Sequence, residues 1–395
     1  MTDWSESTRV APVSLRRDTS LRARAMDRDS FLRQLDWVLI AAVAVLCILG
    51  CALVWAAAKP QGLGSSYLKK DVLNIVLGLG LAALAALVDY RTLRAYTLVL
   101  YGASIFGLLV VLTPLGSTIN GAHSWIQVGG GFEVQPSEFA KLSVVLGIAM
   151  LLSEKREGRA DPTRNDILLC FALSAVPVVL ILAQPDVGSV MVFMITIFGM
   201  LALSGIPGRW VGGMLVLAVV GAIFVDQAHL LHQYQLARFD ALTHSNASAA
   251  AQTFAFNAHQ ATIAIGHGGW FGQGLGHGTQ TNGQFVPEQQ TDFVFSVAGE
   301  ELGLFGAGLV IVLSGIVIWR ALRIARLSRD RFGTLVAVGI VCWFSFQMFE
   351  NIGMNLGIMP ITGLPLPFVS YGGTSMFASM IAIGLLQNVR VRSER

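Results

Sequence analysis

Charge-free apolar stretches recur along this chain and leave little choice of fold. Runs at 38–58, 72–88, 95–113, 167–185, 187–208, 210–225, 302–319, 332–349 and 372–389 contain no Asp, Glu, Lys or Arg. A shorter run, 142–153, joins them if its helix begins near Glu138. Most reach the ~17–25 residues that a helix needs to cross a hydrocarbon core. Only 13% of the 395 residues are charged, well below the roughly 25% of soluble domains, so an ordinary cytosolic enzyme is excluded. The expected fold is an all-α polytopic membrane protein of about ten transmembrane helices. Cys47, Cys51, Cys170 and Cys342 all fall in or beside these runs without metal-ligand spacing, and read as small core residues.

The distribution of Lys and Arg tests the count. With the amino terminus in the cytoplasm, 22 of 27 basic residues collect on that side, including seven arginines before Leu35 and five between Arg320 and Arg331. Lys59, Lys69, Lys70 and Arg238 fall outside, and Lys141 lies within a span. Ten spans with both termini cytoplasmic fit this alternation. Residues 1–35 are expected to be a disordered basic tail, 36–390 the membrane domain, and 391–395 a short cytoplasmic tail.

The outer side collects the polar chemistry. All seven histidines (His123, His229, His232, His244, His259, His267 and His277) map to outer loops, scattered as solvated or interfacial side chains rather than converging as zinc ligands. The loop of about 227–290, between the seventh and eighth spans, is too long for a simple connector. Its Ala-rich stretch, 247–265, suggests a helix along the membrane surface with Phe254, Phe256 and Ile263 inward. Between Gly266 and Gly278, seven of thirteen residues are glycine. A nucleotide fingerprint would need a preceding strand and a following helix in a soluble unit, whereas this run sits on the outer face, which leaves either a close backbone approach to a substrate or a plain flexible loop.

Ionisable groups at the membrane boundary default to functional hypotheses, each beside a plainer alternative. Glu138 and Lys141 share a helix face and can simply pair. Asp186, in Gln184-Pro185-Asp186-Val187-Gly188, can cap the sixth span. Asp292 is read as beginning the eighth span, where capping again competes with a role as a general base, and Glu350 ends the ninth. At ~100° per residue, Glu300 and Glu301 stand about 80° and 180° from Asp292, so the three do not share one small site. Nucleotide donors are cytoplasmic, so an outer site would need a lipid-linked leaving group. Departure of a pyrophosphate calls for a cation, with Lys141 and Arg238 nearest.

Several motifs in order resemble the SEDS family of RodA and FtsW. They are Asn120-Gly121-Ala122 with Trp125-Ile126, Gln135-Pro136-Ser137-Glu138-Phe139-Ala140-Lys141, Gln184-Pro185-Asp186-Val187-Gly188, Tyr234-Gln235 with Arg238, Ile263-Ala264-Ile265-Gly266, Pro287-Glu288 with Thr291-Asp292-Phe293, Glu300-Glu301-Leu302-Gly303, and Gly363 to Gly373. The resemblance covers about 36–390. It implies a peptidoglycan glycosyltransferase of the bacterial cytoplasmic membrane that polymerises lipid II on the outer face. Asp292 would be the catalytic carboxylate, and Lys141, Glu138, Trp125, Arg238, Asp186 and Gln260 the substrate-binding set. The implied partners are lipid II, the growing lipid-linked glycan, a class B penicillin-binding transpeptidase and other elongation-complex membrane proteins, with no nucleic acid. No cofactor motif is evident, although a divalent cation such as Mg or Mn is compatible with pyrophosphate departure.

The run Gly278-Thr279-Gln280-Thr281 before Phe285 to Gln289 looks more like the RodA branch, which serves elongation and cell shape, than the division-type FtsW branch. The chain departs from the family pattern at Ser124 (commonly Arg), Ala261 (Ser), His267 (a small polar residue) and the loop after Arg238, which lacks a proline-and-aspartate run. A lipid-precursor flippase and a non-catalytic scaffold compete with the transferase, the former through Glu300, Glu301 and the prolines Pro177 and Pro207. Reporter fusions after Arg331 and after Ser248 are expected to report opposite sides of the membrane, and the same side for both would refute the topology.

Overall fold

The computed structural model describes residues 31–119, 122–127, 129, 133–154, 162–227, 233–243 and 248–393. Asn120, Gly121, His229, His232, His244 and the tail before Phe31, all invoked above, lie outside the described residues, as do Lys155, Arg156 and Arg159 of the inner basic set. The chain divides into two units at Leu35/Asp36. Of the first, one helical turn, Phe31–Gln34, is described.

The second unit is a helical bundle. Its helices are α1 (Trp37–Ala58), α2 (Gly64–Leu87), α3 (Tyr90–Val111), α4 (Pro136–Ser153), α5 (Arg164–Leu182), α6 (Val187–Leu203), α7 (Gly208–Gln227), α8 (Gln233–Thr243), α9 (Ala249–Gly268), α10 (Thr279–Gly283), α11 (Val294–Leu327), α12 (Arg331–Asn355) and α13 (Gly373–Ser393). Each of the ten expected spans coincides with one of them. Among the described residues, seven helices are long and apolar enough to cross a membrane, namely α1 to α5, α11 and α12. Helices α6 and α7 contain shorter apolar segments. Helix α13 is more polar because it buries Thr374, Ser379, Gln387 and Asn388 against its neighbours.

Helices α4 and α12 form the centre. Within their apolar segments 83% and 72% of residues are buried, against 17% in α3, so α3 presents its leucines outward as a lipid-facing helix does. Asp36 ties one end of the bundle together. Its carboxylate caps α1 by accepting from the Leu39 amide at 3.0 Å and takes the Arg320 guanidinium of α11 in a fork at 2.6–2.9 Å. Gln387 of α13 bonds both its backbone N–H and C=O.

The structure departs from expectation in four places. A three-stranded antiparallel sheet of β1 (Gly116–Ile119), β2 (Ala122–Gln127) and β3 (Glu133–Val134) stands between α3 and α4, pairing Ser117 with Trp125 and Ile126 with Val134. Helix α2 begins two turns before its charge-free run, because Asp71 turns inward and accepts from the Cys51 thiol. In α9, Phe254 and Ile263 are half-buried but Phe256 is exposed.

Fourth, Asp292 precedes α11, and α11 breaks at Gly303 (φ 67°, ψ −163°), so the helical angles computed from Asp292 do not apply. The break exposes the Glu300 and Glu301 carbonyls, which accept from the amides of Gln273 and Gly274 at 3.0 Å each. The Glu300 carboxylate takes four bonds from Thr279, Gln280 and Thr281. Glu301 takes the Gly276 amide at 2.9 Å. Both acids therefore hold the glycine loop in place, and its glycines permit close approach to α11's own backbone. A Cβ on Gly303 would stand 2.3 Å from the Gly272 nitrogen in a conformation that L residues avoid, whereas a Cβ on Gly308 would meet open space. Gly303→Ala should lower stability by roughly 1–3 kcal/mol or more, read as an earlier thermal transition in detergent. Gly308→Ala, which gains up to about 1 kcal/mol of helix propensity, should not.

Candidate active site

Helix α12 carries three carboxamides at i, i+4 and i+8 (Gln347, Asn351 and Asn355), all fully buried on one face. They satisfy the irregular backbone packed against them. Gln347 Nε2 donates to the Pro365 carbonyl at 2.8 Å, and Asn351 Nδ2 to the carbonyls of Leu364 at 2.7 Å and Asp292 at 2.9 Å. Asn355 Nδ2 donates to the same Asp292 carbonyl at 3.1 Å, while its oxygen accepts the Ser296 amide at 3.0 Å. The turn that delivers Asp292 is closed by its amide donating to the Glu288 carbonyl at 3.0 Å, with Glu288 itself in the left-handed region.

The Asp292 carboxyl caps no helix. Phe293 is the N-cap of α11 and makes no side-chain cap bond. The carboxyl instead lies over Gly363 (φ +76°), where a Cβ would come within 3.3 Å of Oδ2. It lines a polar cavity of 370 Å³ with Glu288, Thr291, Arg238 and Thr362. Burial pushes the Asp292 pKa up to about 7, and the Glu288 charge adds to the rise. The Arg238 guanidinium and a Thr291 hydrogen bond oppose it.

Arg238 NH1 donates to the Thr362 carbonyl at 2.7 Å, and its guanidinium stacks over Tyr234 at 4.9 Å. Trp125, from β2, forms part of the wall. Asp186 both lines the cavity and caps α6, accepting from the Ser189 amide and hydroxyl and from Gln135 Nε2. Elsewhere in the lining Tyr67 meets Tyr371 edge to face at 4.8 Å, with Lys70, Asn74 and Glu133. A second, apolar groove of 590 Å³ runs between α2 and α3 over α4 and α13, and Val134 lines both spaces.

A profile of the cell cycle protein family that groups FtsW, RodA and SpoVE matches residues 32–395. The probable peptidoglycan glycosyltransferase FtsW of Methylococcus capsulatus is 39% identical over 374 residues, covering 91% of this chain and 90% of that one. Stage V sporulation protein E of Bacillus subtilis is 34% identical over 356 residues, covering 89% and 94%. This chain belongs to the FtsW/RodA/SpoVE family. Among solved family structures, one titled as a peptidoglycan synthase complex that coordinates polymerization and crosslinking aligns with a TM-score of 0.76 at 30% identity, covering 91% of this chain and 99% of the other. The Thermus thermophilus rod shape determining protein RodA aligns with a TM-score of 0.67 at 29% identity, covering 91% and 98%.

Of the residues that family resemblance nominated, Asp292, Arg238, Trp125 and Asp186 meet in the cavity. Lys141 and Glu138 do not line it. The first turns of α4 face α12, so both side chains are sealed in the core, 2% and 1% exposed. Lys141 Nζ bonds Glu138 at 2.7 Å and Gln347 at 3.1 Å beneath the Trp343 ring. They connect to the cavity through Gln347, which holds Pro365 in its wall. Gln260, on α9, also lies outside the lining.

Sequence reasoning missed Tyr67, Lys70, Asn74, Glu288 and Thr362 as lining residues. Lys70 was visible as one of few basic residues on its side, and Glu288 as part of the motif around Asp292. Thr362 carried no signal. If the charges act as placed, an infrared carboxyl band lost in Asp292→Asn should titrate near 7. Glu288→Gln should move that midpoint down and Arg238→Gln should move it up, and the reverse order would refute this electrostatic assignment.

Proposed function

We propose that this chain is a peptidoglycan glycosyltransferase that polymerises lipid II at the cavity around Asp292. The cavity opens on the outer face of the bacterial cytoplasmic membrane, and both termini are cytoplasmic. The supporting observation is an uncapped carboxylate beside Arg238 in a polar cavity that shares Val134 with an apolar groove. A polyprenyl tail suits the groove, and sugars and pyrophosphate suit the cavity.

In this reading Asp292 takes the proton from the acceptor sugar's 4-hydroxyl as that oxygen attacks the donor's anomeric carbon. The bond to lipid pyrophosphate breaks with inversion, and Arg238 stabilises the departing charge. A carboxylate with a pKa near 7 is well matched to that transfer, and the rate should rise as pH climbs through this value. Lys141 and Glu138 support the cavity wall instead of contacting pyrophosphate. Among the described residues no three potential metal ligands lie together; Asp292 and Glu288 are the neighbouring carboxylates that a Mg or Mn ion would meet in the cavity.

The flippase reading loses support, since Glu300 and Glu301 are spent on the glycine loop. The cellular role has two readings. The 278–289 run favours the elongation branch, whereas relatives carrying the FtsW name favour division. Filamentation on depletion would indicate division, and rounding would indicate elongation. The solved synthase complex supports pairing with a class B transpeptidase. Asp292→Asn, purified with that partner, should fold and lose about 10²–10⁴-fold in lipid II polymerisation. Normal polymerisation by the folded variant, or none by the wild type with its partner, would overturn the proposal.

A further inference from the structure

Behind the cavity wall α12 carries Glu350, which is fully buried and has no place in the chemistry above. One carboxylate oxygen accepts from the Thr362 hydroxyl. The other is buried with no hydrogen-bond partner among the described residues. A buried carboxylate is a costly way to satisfy one hydroxyl, which a backbone carbonyl can do equally well. Its neighbours suggest a larger task, because Glu350 acts electrostatically on both Asp292 and Arg238.

Arg238 itself is sparsely fastened. It sits on the 11-residue helix α8, and its guanidinium rests on the Tyr234 and Phe254 rings. Its Nε is buried without a partner among the described residues. Among the described residues, its hydrogen bond beyond α8 runs from NH1 to the Thr362 carbonyl at 2.7 Å. The side chain of that same threonine is what Glu350 holds. Thr362 lies between Pro360 and Gly363 in an irregular segment with no helix or ladder to fix it, so its carbonyl points where its hydroxyl is tethered.

We propose that Glu350 is a positioning residue: through the Thr362 hydroxyl it fixes the carbonyl that aims Arg238 into the cavity, and so sets the affinity of the site for the lipid pyrophosphate group. This rests on the reading of Arg238 as the pyrophosphate-facing cation. Glu350 touches no substrate, and it contributes through Arg238. The residue types fit: a carboxylate accepts from Thr362 while drawing the guanidinium toward the same spot by charge, and a Gln side chain would keep the first function.

The test uses the full chain with its transpeptidase partner, with three readouts. These are binding of a polyprenyl pyrophosphate in detergent, kcat and KM for lipid II, and thermal unfolding without ligand. Glu350→Ala and Thr362→Val should each weaken polyprenyl pyrophosphate binding about tenfold, the loss expected of one hydrogen bond linked to a charged group, and lower kcat/KM at least as much, because Arg238 also stabilises the departing charge. Glu350→Gln should bind within about threefold of wild type, because it still accepts from Thr362. In an Arg238→Ala background, Glu350→Ala should cost less than about twofold.

A tenfold loss that persists without Arg238, or wild-type binding by folded Glu350→Ala, would overturn the proposal. Should Glu350→Ala not fold, Thr362→Val decides, since it removes only the hydroxyl bond, and wild-type binding there is equally fatal. If the wild type binds no polyprenyl pyrophosphate, the functional reading fails instead. The unfolding cycle then decides the positioning claim: non-additive effects of Glu350→Ala or Thr362→Val with Arg238→Ala support it, and additive effects refute it.

Discussion

Backbone that leaves the helix within a membrane protein must find hydrogen bonds inside the protein, and here the supply comes from one face of α12. Gln347, Asn351 and Asn355 bond the carbonyls of Pro365, Leu364 and Asp292. The two segments that shape the cavity are thus fastened to a single central helix. That rigidity lets an acidic side chain sit over Gly363 without capping a helix. It also explains the burial of Lys141, whose ammonium completes the row by bonding Gln347.

The ten spans were legible because apolarity over some twenty residues is an averaged signal that no single side chain can disguise. Asp292, Arg238 and Asp186 were legible because charged residues at a membrane boundary stand out, whereas Trp125 was nominated by the family motif alone. The orientation of α4 was not, since Glu138 and Lys141 at i and i+3 look the same whether they face water or Gln347. The break at Gly303 was also hidden, because Glu300-Glu301-Leu302-Gly303 reads as ordinary helix until the glycine loop is packed against it. The small sheet escaped notice because its alternation is only a few residues long. The start of α2 was obscured by Lys69, Lys70 and Asp71, of which only Asp71 is buried.

The cavity's charge pattern follows from the same packing. Asp292 and Glu288 face a single guanidinium, Arg238, with Glu350 behind the wall. Burial does most to lift Asp292 toward neutrality and the Glu288 charge adds to it, which sets the site apart from a simple anion trap. On the proposed reading a phosphate is held by Arg238, with Lys70 in the same lining, against nearby negative charge, so changes in how Arg238 is held bear directly on binding.

Val134 stands where the polar cavity meets the apolar groove. On the proposed reading, a lipid-linked substrate crossing that threshold sideways would keep its tail in hydrocarbon while its headgroup meets Asp292, so that neither end is transferred into an unsuitable solvent. A spent carrier can retreat by the same lateral route while the lengthened sugar strand stays engaged above. Processive growth then needs no release of polymer between additions, only an exchange of lipid along the flank of α2 and α3.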